Sequence, residues 1–509
     1  MDQQDEATWT SALHPSPSEH TPLLHAPTDK RESYGKVFCE ELITLIASGL
    51  PILGTHIFEH SLIITSVVTI GHLSTNALAG VALGSMTAGV SGFSIIYGLS
   101  SALDTLLPSA WTSQKPELVG LWTQRMIVVE AICLIPMFVI WFNSENILLW
   151  LRQDPEIARL AATYLYWISL GLPAYAFNSI TRRYFQSQGL FAAPTRIVIV
   201  VAPVNAFMNW LLVWGPKPIR LGYIGAPIAT ALSFNLISLL SIAYGFWVLP
   251  AWNRQNKKSA WHPICRGSFQ NLGLLFHLGL AGVAQIASEW WAWELAGLAA
   301  SQISPLALAA QSILLATGST AAQGVFALES ACSVRIGNLL GEGRADRAPV
   351  AAIAAMVIGL ASATSTCAVL LAFRKSWAYM FTDDPEVAAL YASILPLVGL
   401  YQFFDAGKAL AGGILRARGK QGIGALLNLS GYYLVGMPLG LLLTFHPKIE
   451  LGLRGLWIGL TVSLLYCAAG GGWICAKTDW DEEVRRVRAR IAKEWNLTNE
   501  PGSLRVGYE

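Results

Sequence analysis

The sequence predicts an all-α integral membrane protein of twelve transmembrane helices in two pseudo-symmetric six-helix lobes, and three observations carry that prediction. First, 53% of the 509 residues are hydrophobic and only 13% are charged, whereas a soluble domain carries about 25% charged residues. Second, the apolar residues fall into stretches of about 20, the length a helix needs to cross ~30 Å of hydrocarbon while satisfying its own backbone hydrogen bonds. Third, the chain matches itself at an offset of 230 residues.

In order, the expected spans are 42–66, 77–100, 126–143, 160–181, 195–214, 224–248, 273–300, 306–334, 349–372, 388–413, 424–445 and 455–475. Residues 1–38 are polar and proline-bearing, with no short apolar core behind a basic start, so they are expected to form a disordered, uncleaved cytoplasmic tail. The N-lobe then occupies 39–249, a basic linker 250–271, the C-lobe 272–475 and a C-terminal cytoplasmic tail 476–509. Within that tail Val484, Val487, Ile491 and Trp495 recur at helical spacing among arginines, which fits a helix lying on an anionic leaflet or one left in solvent.

Cytoplasmic loops retain Lys and Arg during insertion. With both termini on one side, 25 of the 34 basic residues are assigned to that side, eight to the other and one to a helix interior, so both termini are expected in the cytoplasm. Arg125, Arg182, Arg183, Arg335, Arg416 and Arg418 are among the 25. Topology thus explains the basic residues, and no nucleic-acid partner is implied. The seven cysteines are scattered without a C-x-x-C pair, which reads as small packing residues and neither a disulfide framework nor a metal site.

The repeat recurs in four loops. Asp154-Pro155-Glu156 answers Asp384-Pro385-Glu386, Gly189 answers Gly419, Ala77-Leu78-Ala79 answers Ala307-Leu308-Ala309, and Leu221-Gly222 with Gly225 answers Leu451-Gly452 with Gly455. Six crossings per half is an even number, so the halves are parallel repeats about an axis along the membrane normal. Duplicated halves around a central cleft suit alternating access.

Ionisable groups inside spans cost about 2.5–3.5 kcal/mol each at a helix centre, which makes them functional candidates. Glu59 with His56 and His60, Glu289, Glu294, Glu329, and Asp405 with Lys408 form this set. Glu59 and Glu289 are themselves 230 apart and are expected to face one cavity from opposite sides. His56 lies one turn before Glu59, so its imidazole could hydrogen-bond that carboxylate and relay a proton, or the pair could simply knit helix 1 to its neighbours. Between Glu289 and Glu294 stand Trp290, Trp291 and Trp293, either packing residues or an aromatic face for a flat organic cation. Asp405 and Lys408 are one turn apart, a structural salt bridge or a protonation switch. Glu329, near the cytoplasmic end of its helix, is expected to be wetted. No phosphate loop, H-E-x-x-H or G-x-S-x-G is present, so no enzyme, metal or cofactor is expected, and the energy must come from an ion gradient or from the solute itself.

Several stretches resemble the eukaryotic branch of the multidrug and toxic compound extrusion (MATE) family, over about residues 38–475. They are Gly71-His72-Leu73, Ser101–Leu106 in the loop after helix 2, Gln124-Arg125, Gly225–Thr230, Glu289–Glu294, Ser333–Asn338, Phe404-Asp405, Gly413–Arg416 and Gly431–Pro438. The resemblance implies a monomeric secondary-active exporter that exchanges small organic solutes, cationic ones above all, for protons or sodium. Its acidic residues map onto Glu289, Glu294 and Asp405. The alternative is a lipid or lipid-linked-sugar flippase of similar two-lobed architecture, for which only Lys408 argues. Lys408 stands where the family usually has a neutral residue, and the family's acid early in helix 8 is replaced near Ala316. Bacterial members carry a helix-1 aspartate where this chain has Ser66. An acidic dileucine pattern, Glu19–Leu24, points to the vacuole, with the plasma membrane as the other expectation.

Overall fold

The computed structural model describes residues 33–71, 73–256 and 258–499. His72 and the Glu19–Leu24 pattern lie outside the described residues. Among the described residues eleven helices are long and apolar enough to span a bilayer: α1 (Tyr34–Gly71), α2 (Asn76–Thr112), α3 (Leu118–Phe142), α5 (Ala192–Trp214), α6 (Gly222–Trp247), α7 (Leu272–Ser301), α8 (Pro305–Glu342), α9 (Ala348–Ala372), α10 (Pro385–Ala417), α11 (Gln421–Phe445) and α12 (Leu453–Ala476). The remaining crossing, α4, is Pro155–Ile168 and Leu172–Ser187 joined by a 3-10 turn, and it carries Asn178, Arg182 and Arg183 in place of a uniformly apolar run. A final amphipathic helix, α13, covers Trp480–Asn499.

The sequence repeat marks the ends of helices, where local geometry restricts residue choice. Asp154 and Asp384 both cap a helix that begins with proline, accepting from Glu156 N at 2.9 Å and from Glu386 N at 2.8 Å. Gly189 and Gly419 hold φ of 81° and 72°, and Gly222 and Gly452 hold 61° and 54°, left-handed values that disfavour any side chain. In the fourth pair Ala77 and Ala307 each donate a backbone N–H to a helix-capping serine, Ser74 or Ser304, so all four pairs mark matched helix ends or turns. Helix 1 starts at Tyr34, inside the stretch assigned to the tail, and Ser101–Leu106 lies within α2, not in a loop.

Packing divides the molecule by depth. On the terminal side, where both chain ends lie, one continuous core joins the lobes, from Leu45, Leu103, Leu106 and Trp122 to Ile336, Leu340 and Ile414. On the far side there are two cores. One is built on Leu62, Phe93, Trp141 and Phe234, the other on Ala292, Tyr391, Tyr432 and Trp457. The lobes thus meet at the terminal side and part toward the far side.

Glycine permits the closest approaches. A Cβ on Gly282 would lie 2.4 Å from the Gly98 carbonyl oxygen, and one on Gly341 would lie 2.3 Å from that of Ser109. Gly282→Val is accordingly expected to leave each lobe folded but to stop α7 seating on α2. Solvent accessibility of the terminal-side seam should rise and transport should be lost; unchanged transport in reconstituted vesicles would contradict this.

Beyond the seam, α13 docks on protein. Val484, Val487 and Ile491 are buried in the shared core, so neither a leaflet-bound nor a solvated helix describes it. Its Glu494 pairs with Arg125 of the N-lobe, and its Glu483 takes Arg418 at 3.0 Å and Lys420 at 2.8 Å from the C-lobe. Arg125 and Gln124 also hold the inter-lobe linker, through Gly267 O at 2.9 Å and His262 O at 2.6 Å.

Candidate functional site

The cleft between the lobes is lined from the N-lobe by His56, Glu59, Tyr97, Tyr175 and Arg182, and from the C-lobe by Glu289, Trp290, Glu329, Lys408 and Arg416. Glu59 and Glu289 do face one cavity, as their symmetry-related positions on α1 and α7 require.

Each lining carboxylate has a cationic partner. Glu59 Oε2 accepts from Arg182 Nη1 at 2.5 Å, not from His56, which lines the wall beside it. Glu329 Oε1 accepts from Arg416 Nη2 at 2.5 Å. Glu329 keeps 13% of its side chain exposed on the cleft wall, so it does not snorkel at a helix end as expected: α8 is 38 residues long, and a residue late in it still reaches the cleft, where Arg416 holds it. Glu289 accepts from Lys408 Nζ. Lys408 Nζ also stands 3.7 Å from Asp405 Oδ1, a buried oxygen with no hydrogen-bond partner. The salt bridge legible as i, i+3 is therefore the looser arm of a triad, and the residue that closes it comes from another helix.

The ion pairs continue across the seam. Asp104 Oδ1 accepts from Arg183 Nε at 3.0 Å, and its Oδ2 lies 3.7 Å from Arg416 Nε. Arg183 reaches Ser179 Oγ at 2.9 Å, Ser179 meets Ser100 at 2.8 Å, and Ser100 donates to Glu130 Oε1 at 2.8 Å. Arg183 and Arg182 also lie over the Tyr97 ring, at 4.7 and 5.7 Å.

Arg182, Arg183 and Arg416, assigned above to loops, are buried counter-ions inside helices, as is Arg125, while Arg335, also inside a helix, is partly exposed. Asp104 and Glu130 were missed. A full inventory of acids within apolar spans would have found Glu130.

Two expected members lie elsewhere. Trp293 stacks into the C-lobe core, 5.3 Å from the Tyr401 ring and 5.5 Å from that of Trp457, while Trp290 lines the cavity. Glu294 borders a separate apolar groove with Met86, Val90, Trp291 and Tyr433. Five residues beyond Glu289 is a helix rotation of about 140°, which turns Glu294 to another face. Ser66 hydrogen-bonds Thr230 at 2.7 Å and Asn209 at 3.2 Å, a neutral network where an acid would add charge to the N-lobe.

A family model described as MatE matches residues 51–211 and 283–442, one segment in each lobe. An uncharacterized transporter of Schizosaccharomyces pombe is 36% identical, over 88% of this chain and 81% of that protein. Multidrug and toxin extrusion protein 2 of Mus musculus is 32% identical, over 92% of this chain and 80% of its own length. The crystal structure of the eukaryotic MATE transporter AtDTX14 superposes with a TM-score of 0.83 at 30% identity, covering 89% of this chain and all of that one. A Vibrio cholerae MATE transporter in the bent form, at 18% identity and a TM-score of 0.73, shares the fold. Matched in both lobes and over nearly its whole membrane region, the chain belongs to the MatE family and is a transporter of its eukaryotic branch.

Proposed function

We propose that the protein exports organic cations in exchange for protons, with Glu289 and Asp405 of the C-lobe as the shared site. The observation that supports this reading is Asp405, a buried carboxylate whose Oδ1 has no hydrogen-bond partner and whose nearest cation is already held by Glu289. A buried charge of this kind is costly unless compensated, and either a proton or a bound cation compensates it. Competition between the two for one carboxylate is antiport. Protonation from one side releases the substrate, and deprotonation on the other restores the site as the lobes rock.

The distribution of Lys and Arg supports cytoplasmic termini, and on that reading the cleft of this conformation opens toward the outside or the vacuolar lumen. The flippase alternative wants uncommitted cations for a phosphate, and the three cations lining the cleft each have a carboxylate partner.

The test is uptake of a fluorescent organic cation into proteoliposomes under an imposed pH gradient. Each pH unit supplies about 1.4 kcal/mol, roughly a tenfold concentration ratio, so uptake is expected to scale with the gradient and to vanish with a protonophore. Uptake that follows a sodium gradient instead would overturn proton coupling. Absence of uptake across a cation panel would overturn the substrate class.

A further inference from the structure

The charges of the cleft pair off with one remainder. Glu59 is matched by Arg182, Glu329 by Arg416 and Asp104 by Arg183. What is left on the wall and directly behind it is Glu289 and Asp405 against the single ammonium of Lys408, two negative charges and one positive. Glu130 stands off the cleft, behind Ser100 and Ser179. Asp405, Lys408 and Glu289 are 2%, 8% and 9% exposed, so little water screens the remainder.

From this we infer that Lys408 is a tethered cation that sets the valence of the site, holding it to one net negative charge so that it accepts one monovalent organic cation and rejects dications. The inference rests on the cation-exchange reading above and deepens it.

The physics is a count. A monocation or a proton neutralises the remaining charge. A dication leaves a surplus positive charge in a poorly solvated cleft whose wall already holds Arg182, Arg416 and Lys408, and like charges at short range in low dielectric repel strongly. Removing the ammonium uncovers the second carboxylate, and two charges then suit a dication or two protons. A substitution that keeps the charge keeps the valence. Lys408 comes from α10 and its partner Glu289 from α7, so the ammonium stands between two helices of one lobe and serves as a specificity-determining residue of the site.

The experiment compares two flat aromatic cations of similar size, methyl phenylpyridinium with one charge and dimethyl bipyridinium with two. Both are offered to wild type, Lys408→Met and Lys408→Arg in proteoliposomes under the same pH gradient. Wild type and Lys408→Arg are expected to favour the monocation by at least about tenfold, and Lys408→Met to erase or invert that ratio. A purely structural lysine would lower both rates together and leave the ratio unchanged, and that result overturns the inference.

Should Lys408→Met fail to transport, quenching of tryptophan fluorescence by the two cations in detergent reads the same ratio without turnover, since Trp290 lines the cleft. Equal handling of both cations by wild type also overturns the valence rule while leaving cation exchange intact. Handling of neither cation overturns the cation-exchange reading itself, and the valence rule with it.

Discussion

Glu289→Gln is expected to lower gradient-driven cation uptake by about a hundredfold and to lower the thermal stability of the detergent-solubilised protein at the same time. The two effects have different causes. Contact between opposite charges at about 4 Å contributes roughly 4 kcal/mol at an effective dielectric of 20, and losing two-thirds of that interaction between a bound cation and the site is a hundredfold change. Stability falls because Lys408 loses the partner it touches. Breaking a buried pair by removing one member costs about 3–5 kcal/mol, and the variant should sit at the lower end of that range because Lys408 can turn toward Asp405, 3.7 Å away.

The double variant Glu289→Gln/Lys408→Met separates them. With the ammonium gone no buried cation is stranded, so the unfolding temperature is expected to recover, while uptake recovers only as far as Asp405, then the single charge of the site, substitutes for Glu289. If the single variant transports at the wild-type rate, Glu289 is not part of the site. If the double variant is no more stable than the single one, the contact between Lys408 and Glu289 does not carry the cost.

The second large effect is expected at the terminal-side seam. Glu41 of α1 is fully buried and accepts two hydrogen bonds of 2.7 Å from Nε and Nη2 of Arg335 on α8, with Arg347 Nη1 at 3.6 Å. A bidentate arginine–carboxylate pair is among the stronger ionic contacts, and this one joins the two lobes where they are closed. Glu41→Gln leaves the Arg335 guanidinium facing a neutral amide, while Arg347 keeps Glu40 at 2.9 Å. An energy change of about 3–5 kcal/mol, if it acts on the closed arrangement alone, moves the closed-to-open ratio by more than a hundredfold.

Cys332, buried to 0% exposure one turn before Arg335 in the same core, reports the opening. In a background with Cys332 as the sole cysteine, an impermeant maleimide is expected to leave the parent unlabelled and to label Glu41→Gln. Equal protection in both would show that the seam does not depend on this pair. Taken with the Gly282→Val jam, the experiment tests the seam from both directions: one change weakens an attraction and the other inserts volume.

Several features of this protein were determined by sequence alone because the forces that set them act locally. A bilayer demands about 20 apolar residues wherever the chain crosses it, so the spans could be placed without knowing their neighbours. Only α4 is weakly written, because Asn178 and Arg182, which line the cleft, and Arg183, which pairs with Asp104 behind it, lower its apolarity. The duplication was legible for the same reason. Asp154 and Asp384 cap their own helices, and Gly189, Gly419, Gly222 and Gly452 occupy left-handed turns that constrain those residues directly.

What tertiary structure alone decided is which charges meet. Arg182 lies 123 residues from Glu59, Arg416 lies 87 from Glu329, and Lys408 lies 119 from Glu289. Each pairing depends on the rotation and depth of two separate helices, and a change of about 100° per residue turns the next side chain to a different face. That is why Glu289 reached the cleft while Glu294 reached the groove beside it, and why arginines that read as loop charges became the buried partners of the cleft's acids. The docked α13 follows the same logic: its apolar stripe was visible, but the surface that receives it exists only once both lobes have closed beneath it.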